Sequence, residues 1–443
     1  MQYNYTKEDI LDKAREHDVR FIRLQFIDIF GVFKNIAITI DELPRALEGR
    51  MSFDSSVVEG LVSNRTRDIY LLPDPSTFAI FPWRPREGAV ARLICDTVTP
   101  QGEPFSACSR YVLKQVLKNA KGLGYEPHFG AEVDFFLFCL DQQGKPTVIT
   151  HDQAGYCDLT PLDLGENARR DMVLTLQEMG FDISSSHHEI APGQHQIFLK
   201  QDNALAMADN IATFRFVVRT IAQRHGLYAS FMPKPFAHLN GSGMHLHLSL
   251  FAENQNVFSL LGQSMRLSDG AGWFIAGLIE HAAALTALAN PLVNSYKRLA
   301  FSELAPALAG WSYSNRNTML RVPTQQELQT RIILRSPDPS SNPYLVIAVA
   351  LASGLDGIVH QSEAPPVLDD FISAKTGMQV QQKMKRLPRN LFEALFALSQ
   401  DKFVCGVIGE QITGLFRKVK EAEWERYESQ VHQWELDEYL TNF

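Results

Sequence analysis

The segment Gly130-Ala-Glu132-Val-Asp134-Phe-Phe-Leu-Phe permits few arrangements. In an extended chain alternate side chains share a face, so Glu132 and Asp134 stand together against an apolar opposite face. Two carboxylates held side by side repel unless they share a cation or a proton. The alternation recurs in Met244-His245-Leu246-His247-Leu248-Ser249, which puts His245, His247 and Ser249 on one face. It recurs again in His187-His188-Glu189 and in Gly193-Gln194-His195-Gln196. Taken singly, each segment is also what the wet face of an ordinary sheet looks like. Together they point to a sheet with one apolar face and one face of oxygen and imidazole groups. Oxygen donors with one imidazole suit magnesium or manganese better than zinc.

A second group is basic: Lys297 and Arg298, Arg316 and Arg321, Arg331 and Arg335. Arg331, Ile333 and Arg335 alternate onto one face of a strand expected over Arg331–Arg335, and guanidinium forks at that spacing suit phosphates and carboxylates. The loop Asn240-Gly-Ser-Gly243 precedes the histidine strand and lets a ligand approach the backbone. It lacks the P-loop pattern, so a nucleotide would be held in another way.

With 443 residues, 45% of them hydrophobic and 21% charged, the chain is long enough for two cores. A net charge of -8 offers no broad basic field for nucleic acid or an anionic membrane, so a small molecule or a protein is the expected partner. The charged N-terminus lacks an apolar targeting segment, and no run approaches the roughly 20 apolar residues of a span, so a cytoplasmic location is expected. The five cysteines show neither disulfide nor zinc spacing and are read as buried free thiols. Helices are expected over residues 5–19, 109–123, 167–179, 203–225 and 270–288, and strands over 20–28, 34–40, 68–72 and 89–96. Turn residues over 97–105 divide the chain into an N-terminal domain, 1–103, and a larger domain, 104–443, ending in amphipathic helices.

Ten segments in order along the chain resemble glutamine synthetases of the bacterial class I type, closest to the alpha subclass. Among them are Phe53-Asp54, Phe81-Pro82-Trp83, the Glu132/Asp134 strand, Ser186-His-His-Glu189-Ile-Ala-Pro-Gly-Gln-His195, Asn240-Gly-Ser-Gly-Met-His245, Asn294-Ser-Tyr-Lys-Arg298 and Ser341-Asn-Pro-Tyr344. Leu391-Phe392 stands where adenylylated relatives carry a tyrosine. The resemblance implies an α+β chain: a small β-grasp domain, then a catalytic domain with an open antiparallel barrel of strands and surrounding helices. It also implies a dodecamer of two stacked rings, with Asp54 reaching into the neighbouring subunit's site to hold and deprotonate ammonium. The reaction implied is ATP-dependent formation of γ-glutamyl phosphate, which ammonia or an amine then displaces, with magnesium or manganese screening the charge. Carried over by position, Glu132 and His245 match ligands of the metal among the phosphates, and Asp134 and Glu189 match ligands of the other. Asn240, Gly241, Arg298 and Arg335 match the glutamate site, Arg316, Arg321 and Arg331 the phosphate side, and His247 and Ser249 the adenine nucleotide.

The chain departs from that pattern where charge matters. Ile333 replaces a glutamate of the phosphate-side metal, and Gln196 replaces a glutamate of the other. Leu304 occupies the position of the flap glutamate, with Glu303 adjacent, Ser184 that of a glutamate near the nucleotide, and Val57 follows Asp54-Ser-Ser in place of the usual small residue. The expectation is an altered ligase with fewer or weaker metal sites that is poor with ammonia. The alternatives are a non-catalytic relative that binds a ligand or partner, and an ordinary glutamate–ammonia ligase.

Overall fold

The structure is a computed structural model that describes residues 5–61, 67–259, 267–300, 305–323, 330–369 and 385–443. Its first helix, α1 (Lys7–Glu16), starts where Thr6 and Asp9 form a reciprocal capping box, and is shorter than expected because the chain turns at Asp18, with φ of 45°. Six strands follow: β1 (Val19–Ile27), β2 (Phe33–Thr39), β3 (Met51–Asp54), β4 (Asp68–Pro73), β5 (Ala79–Ile80) and β6 (Ala89–Val98). They form one sheet in the order β2-β1-β6-β4-β3, with β5 on β6 and β1 parallel to β6. The short strands β3 and β5 had no run long enough to be read from the sequence.

The second domain opens with α3 (Ser109–Gly122), the helix α2 (Leu43–Leu47) belonging to the first. Its large sheet contains β7 (Glu126–Leu140), β8 (Pro146–Thr150), β9 (Ile183–His188), β10 (Gln194–Asn203), β11 (Leu227–Ser230), β12 (Met244–Ala252), β13 (Gln255–Asn256), β14 (Leu308–Ser312), β15 (Thr318–Arg321) and β16 (Ile332–Leu334). The path runs β14-β15-β16-β12-β7-β10-β9, antiparallel except between β14 and β15. β16 is shorter than the strand expected over Arg331–Arg335, so both arginines flank it. Helices α4 (Glu166–Glu178) and α5 (Ala204–Arg224) support the apolar face, where the rings of Phe135 and Phe214 meet edge on. The helix expected over 270–288 is two: α6 (Asp269–Glu280) and α7 (Ala282–Ala289) meet at 70°. His281 sits at that corner, its Nδ1 2.7 Å from Asp401 and its ring stacked on Phe403. Helix α8 (Val293–Leu299) leads to the arginine strands. Helix α9 (Pro343–His360) has the length and composition of a membrane span, but 78% of it is buried against α6, α3 and α5. Among the described residues four further helices follow, the last Gln433–Tyr439.

The thiols correct one expectation. Cys95 and Cys108 are buried, but Cys157 is exposed, because it lies in the turn before α4 with φ of 60°.

The two domains are joined by buried polar contacts. Arg110 of α3 is 1% exposed and bonds Asp74 and Asp96 of the first domain and both oxygens of Asp209 on α5, at 2.7–3.0 Å. Tyr344 also donates to Asp209, at 2.6 Å. Arg215 donates to Gly31 O at 2.8 Å, and a Cβ on Gly31, whose φ is +81°, would stand 2.7 Å from Asn342 Cα. Only glycine fits that approach. Removing one partner of a buried ionic cluster leaves uncompensated charge and costs about 3–5 kcal/mol. Arg110→Ala is therefore expected to lower the unfolding free energy by about that amount in a denaturant titration, and an unchanged midpoint would refute the clamp.

Candidate active site

Strand register sorts the polar face into rows. Arg321, Ile333, His247 and Gly130 lie side by side across β15, β16, β12 and β7. The next row is His245, Glu132, Phe198 and Ser185, and the next Asp134, Gln196 and His187. Ser249 and His128 lie on the far side of the first row. The intervening residues Ala131, Val133, Leu246 and Ile197 are buried on the other face. Phe198 was not singled out from the sequence, although its spacing from Gln196 puts it on this face.

Glu132 and Asp134 share the face but enter different surroundings. Glu132 Oε2 lies 3.1 Å from His245 Nδ1, and Oε1 lies 3.0 Å from His247 Nε2. Burial would raise the Glu132 pKa, but the two imidazoles hold it well below the usual carboxylate range. Burial pushes His245 down to about 4, against the opposing pull of Glu132, so it donates as a neutral ring. Asp134 accepts from Gln196 Nε2 at 2.9 Å and from the Gly243 amide at 2.8 Å. Burial, then the charge of Glu189, push its pKa up to about 7. Glu189 Oε1 is 3.0 Å from His187 Nε2. The residues present fit a divalent cation in kind: Asp134 and Glu189 repel each other, and a cation between them would remove that cost.

The cationic side is close by. Arg298 is 3% exposed and donates to the carbonyls of Ser336 and Arg335 at 2.9 and 3.1 Å. Arg335 donates to the Arg316 carbonyl, and burial together with Arg298, Arg321 and Arg316 lowers its pKa to about 10. Arg321 donates to Tyr313 O at 3.2 Å, and Arg331, beside the charge of Glu132, is also lowered by burial. The loop holding Asn240 and Gly241 is tied to the β9–β10 hairpin by Gln194 Nε2, which donates to Gly241 O at 3.2 Å. A Cβ on Gly241 would fall 2.3 Å from Pro233 O, so that position requires glycine. Ser249 Oγ accepts from Gln201 at 2.9 Å.

Asp54 lies elsewhere. It is on the edge strand β3, fully exposed, and its carboxylate accepts from the amide and hydroxyl of Ser56, which lower its pKa. Val57 beside it is 81% exposed, and Ser184 is exposed on β9. Leu304 and Glu303 lie outside the described residues.

A second cluster, on the reverse face, has metal-like spacing: Asp152, Asp163, His188 and His195 offer atoms within 4.8 Å of one another. Arg169 Nη1 sits among them, 2.7 Å from Asp163 and 2.9 Å from His195 Nδ1. A guanidinium only donates, so His195 Nδ1 accepts and the proton of the neutral ring is on Nε2, leaving no lone pair for an ion. His188 Nδ1 donates to Glu189 O at 2.7 Å, and its Nε2 faces Asp152 at 3.2 Å. Burial opposes protonation of His188, but Asp152 raises its pKa. Arg169 thus supplies positive charge to the cluster itself, and the network braces the hairpin that carries Glu189 and Gln196.

Comparison with known proteins matches this geometry. The family described as "Glutamine synthetase, catalytic domain" matches residues 106–439, and "Glutamine synthetase, beta-Grasp domain" matches residues 18–100. The chain belongs to the glutamine synthetase family. Similar proteins named glutamine synthetase come from Clostridium saccharobutylicum, 48% identical over 99% of each chain, and Thermus thermophilus, 48% identical over 99% of this chain and 100% of that one. A solved structure called "GmaS/ADP complex-Conformation 1" superposes with a TM-score of 0.88 at 33% identity, covering 98% of this chain and 99% of that one. The glutamine synthetase of Plasmodium falciparum, at 22% identity, a TM-score of 0.88 and 99% of each chain, shares the fold. The fold class is accordingly that of glutamine synthetases, a β-grasp domain followed by the family's catalytic domain.

In a glutamine synthetase site of this kind, the Gln196 amide satisfies Asp134 without adding charge. Gln196→Glu places another anion beside Asp134 and Glu189, and is expected to tighten manganese binding by about tenfold in calorimetry. Unchanged affinity would mean that residue 196 does not face the ion.

Proposed function

We propose that the chain is an ATP-dependent γ-glutamyl ligase that works poorly with ammonia and takes a larger primary amine as acceptor. One contrast carries the reading: the buried arginines Arg298 and Arg335 are kept, whereas Gln196 and Ile333 occupy the neighbouring rows as neutral groups. Loss of function by drift would erode the arginines as readily as the carboxylates. In this reading Arg298, Arg335, Asn240 and Gly241 hold the amino acid, and His247, Ser249, Arg321 and Arg331 lie toward the nucleotide. Glu132, Asp134, Glu189 and His245 would hold magnesium or manganese, with Gln196 a weak ligand and Ile333 none. Such ions would neutralise charge on the phosphates during transfer.

The γ-carboxylate oxygen attacks the terminal phosphorus of ATP and ADP leaves. The amine nitrogen then forms the C–N bond, phosphate leaves, and the amine gives up a proton. Arg316 and Arg335 stabilise the charge that develops on the oxygens. The fully exposed Asp54, bonded only to Ser56 among the described residues, supports a ring assembly, a dodecamer, in which a neighbour brings this carboxylate to the site. We place the domain division at residues 103 and 104 and the protein in the cytoplasm, with no nucleic-acid or membrane partner.

The 45–48% identity to proteins named glutamine synthetase favours a second reading, ordinary glutamate–ammonia ligation. An ADP-release assay with magnesium and with manganese, run against ammonium and a panel of primary amines, separates the two. Removing one electrostatic group from such a site costs about 10²–10³ in rate, so glutamine formation is expected to be at least roughly a hundredfold slower than in a competent relative, with turnover on an amine. Robust turnover on ammonium would overturn the proposal, and silence on every acceptor would favour a non-catalytic binding role.

A further inference from the structure

A cleft of about 920 Å³ runs along the junction of the two domains, and none of the residues lining it belongs to the candidate active site. Small-molecule sites have this size, roughly 300–1,000 Å³. Arg92 of β6 lines its buried end and is 4% exposed. Its Nη1 donates to Thr213 Oγ1 at 2.7 Å and reaches Gln25 Oε1 at 3.5 Å, both neutral groups, and its Nε has no hydrogen-bond partner among the described residues. Asp209 also lines the cleft, but both of its oxygens accept from Arg110 and one accepts from Tyr344 as well. Burial lowers the Arg92 pKa to about 10, which leaves the side chain charged at neutral pH. A guanidinium buried beside neutral partners carries a desolvation cost that an anion at Nε would offset. Phe78, Ile80 and Phe81 supply an apolar wall from the first domain, and Met179 and Phe181 one from the second. Phe81 is held by Trp83, the two rings stacked with centroids 4.6 Å apart. Nearer solvent the signs are mixed, Lys13, Arg84 and Arg86 with Glu16, Glu87 and Glu178, so the rim does not favour a multiply charged anion.

We propose that this cleft binds a small organic monocarboxylate with an apolar body, its carboxylate on Arg92 Nε and its body between the phenylalanines of the two walls. A single unmatched cation at the buried end calls for a single negative charge, and the carboxylates at the rim repel a dianion such as phosphate. The aromatic walls select an aromatic or branched body over a short polar one. A ligand seated here touches both domains beside the Arg110–Asp209 clamp and is present only when they are docked, so binding stabilises the junction. The inference stands apart from the acceptor reading, because it uses neither the arginines nor the carboxylates of the large sheet.

Benzoate is the probe, with benzamidine as its cationic counterpart of the same shape and inorganic phosphate as a competing anion. Calorimetry on the full-length protein, in whatever assembly it forms and without ATP or glutamate, is expected to show saturable benzoate binding with a Kd of roughly 1 mM or tighter. Benzamidine is expected not to bind, and phosphate not to displace benzoate. Arg92→Gln is expected to weaken benzoate binding by about tenfold or more, the share of one charge-assisted hydrogen bond. Ala79→Phe fills the cleft from β5 and leaves Arg92 in place, so it reports even if the Arg92 variant fails to fold; it is expected to weaken binding at least as much. Absence of saturable binding, equal binding of benzamidine, displacement by phosphate, or an affinity unchanged in either folded variant would overturn the assignment. The last of these would place benzoate on other cations, such as the arginines of the sheet.

Discussion

The polar face depends on one constraint, the antiparallel register that sets His245 opposite Glu132 on one side of β7 and Gln196 opposite Asp134 on the other. A shift of one residue in either pairing would send these groups to the opposite face and bring Val133, Leu246 or Ile197 into the site. The register is enforced from behind. Those residues are buried against the core, and the Arg169–Asp163–His195 and His188–Asp152 pairs grip the hairpin that presents Glu189. Chemistry on one face is thus fixed by packing and ion pairing on the other.

Within that frame the charge is lopsided. Arg298, Arg321, Arg331 and Arg335 gather around Glu132 and Asp134, and burial lowers the pKa of three of them. Asp134, pushed up to about 7, is a weak counter-charge in the absence of a cation. A site of this kind calls for anions, which phosphates and an amino-acid carboxylate supply. On this face Gln196 and Ile333 add no negative charge to attract divalent ions, one being an amide and the other a branched alkyl side chain. Our proposal is that the anion site is kept while the cation sites are weakened.

Much of this was legible in the sequence because a period of two is hard to mistake when the alternating residues are as different as glutamate and valine. The strands carrying Glu132, His245 and the Glu189–Gln196 hairpin follow from that pattern, and the core helices from a period near 3.6. What escaped was set by long-range contacts. The corner at His281 depends on Asp401, 120 residues away, which nothing local announces. The Asp134–Gln196 bond, the convergence of His245 and His247 on one carboxylate and the ion-paired cluster behind the hairpin all join segments distant along the chain. Side-chain pairing across a sheet is invisible until the register is known. The thiol of Cys157, expected to be buried, is exposed because it lies in a turn, where no periodicity marks burial.

The central claim is that the catalytic face keeps its anion site and has weakened its cation sites. Anomalous diffraction from crystals of the full chain grown with Mn²⁺ and a non-hydrolysable ATP analogue would test it most directly, since it counts ions where the ligands stand. The account predicts nucleotide phosphates beside the arginines, at most partial occupancy at Glu132 and His245, and partial or no occupancy between Asp134, Glu189 and Gln196. Fully occupied ions at every family position, with Ile333 displaced to admit them, would contradict it.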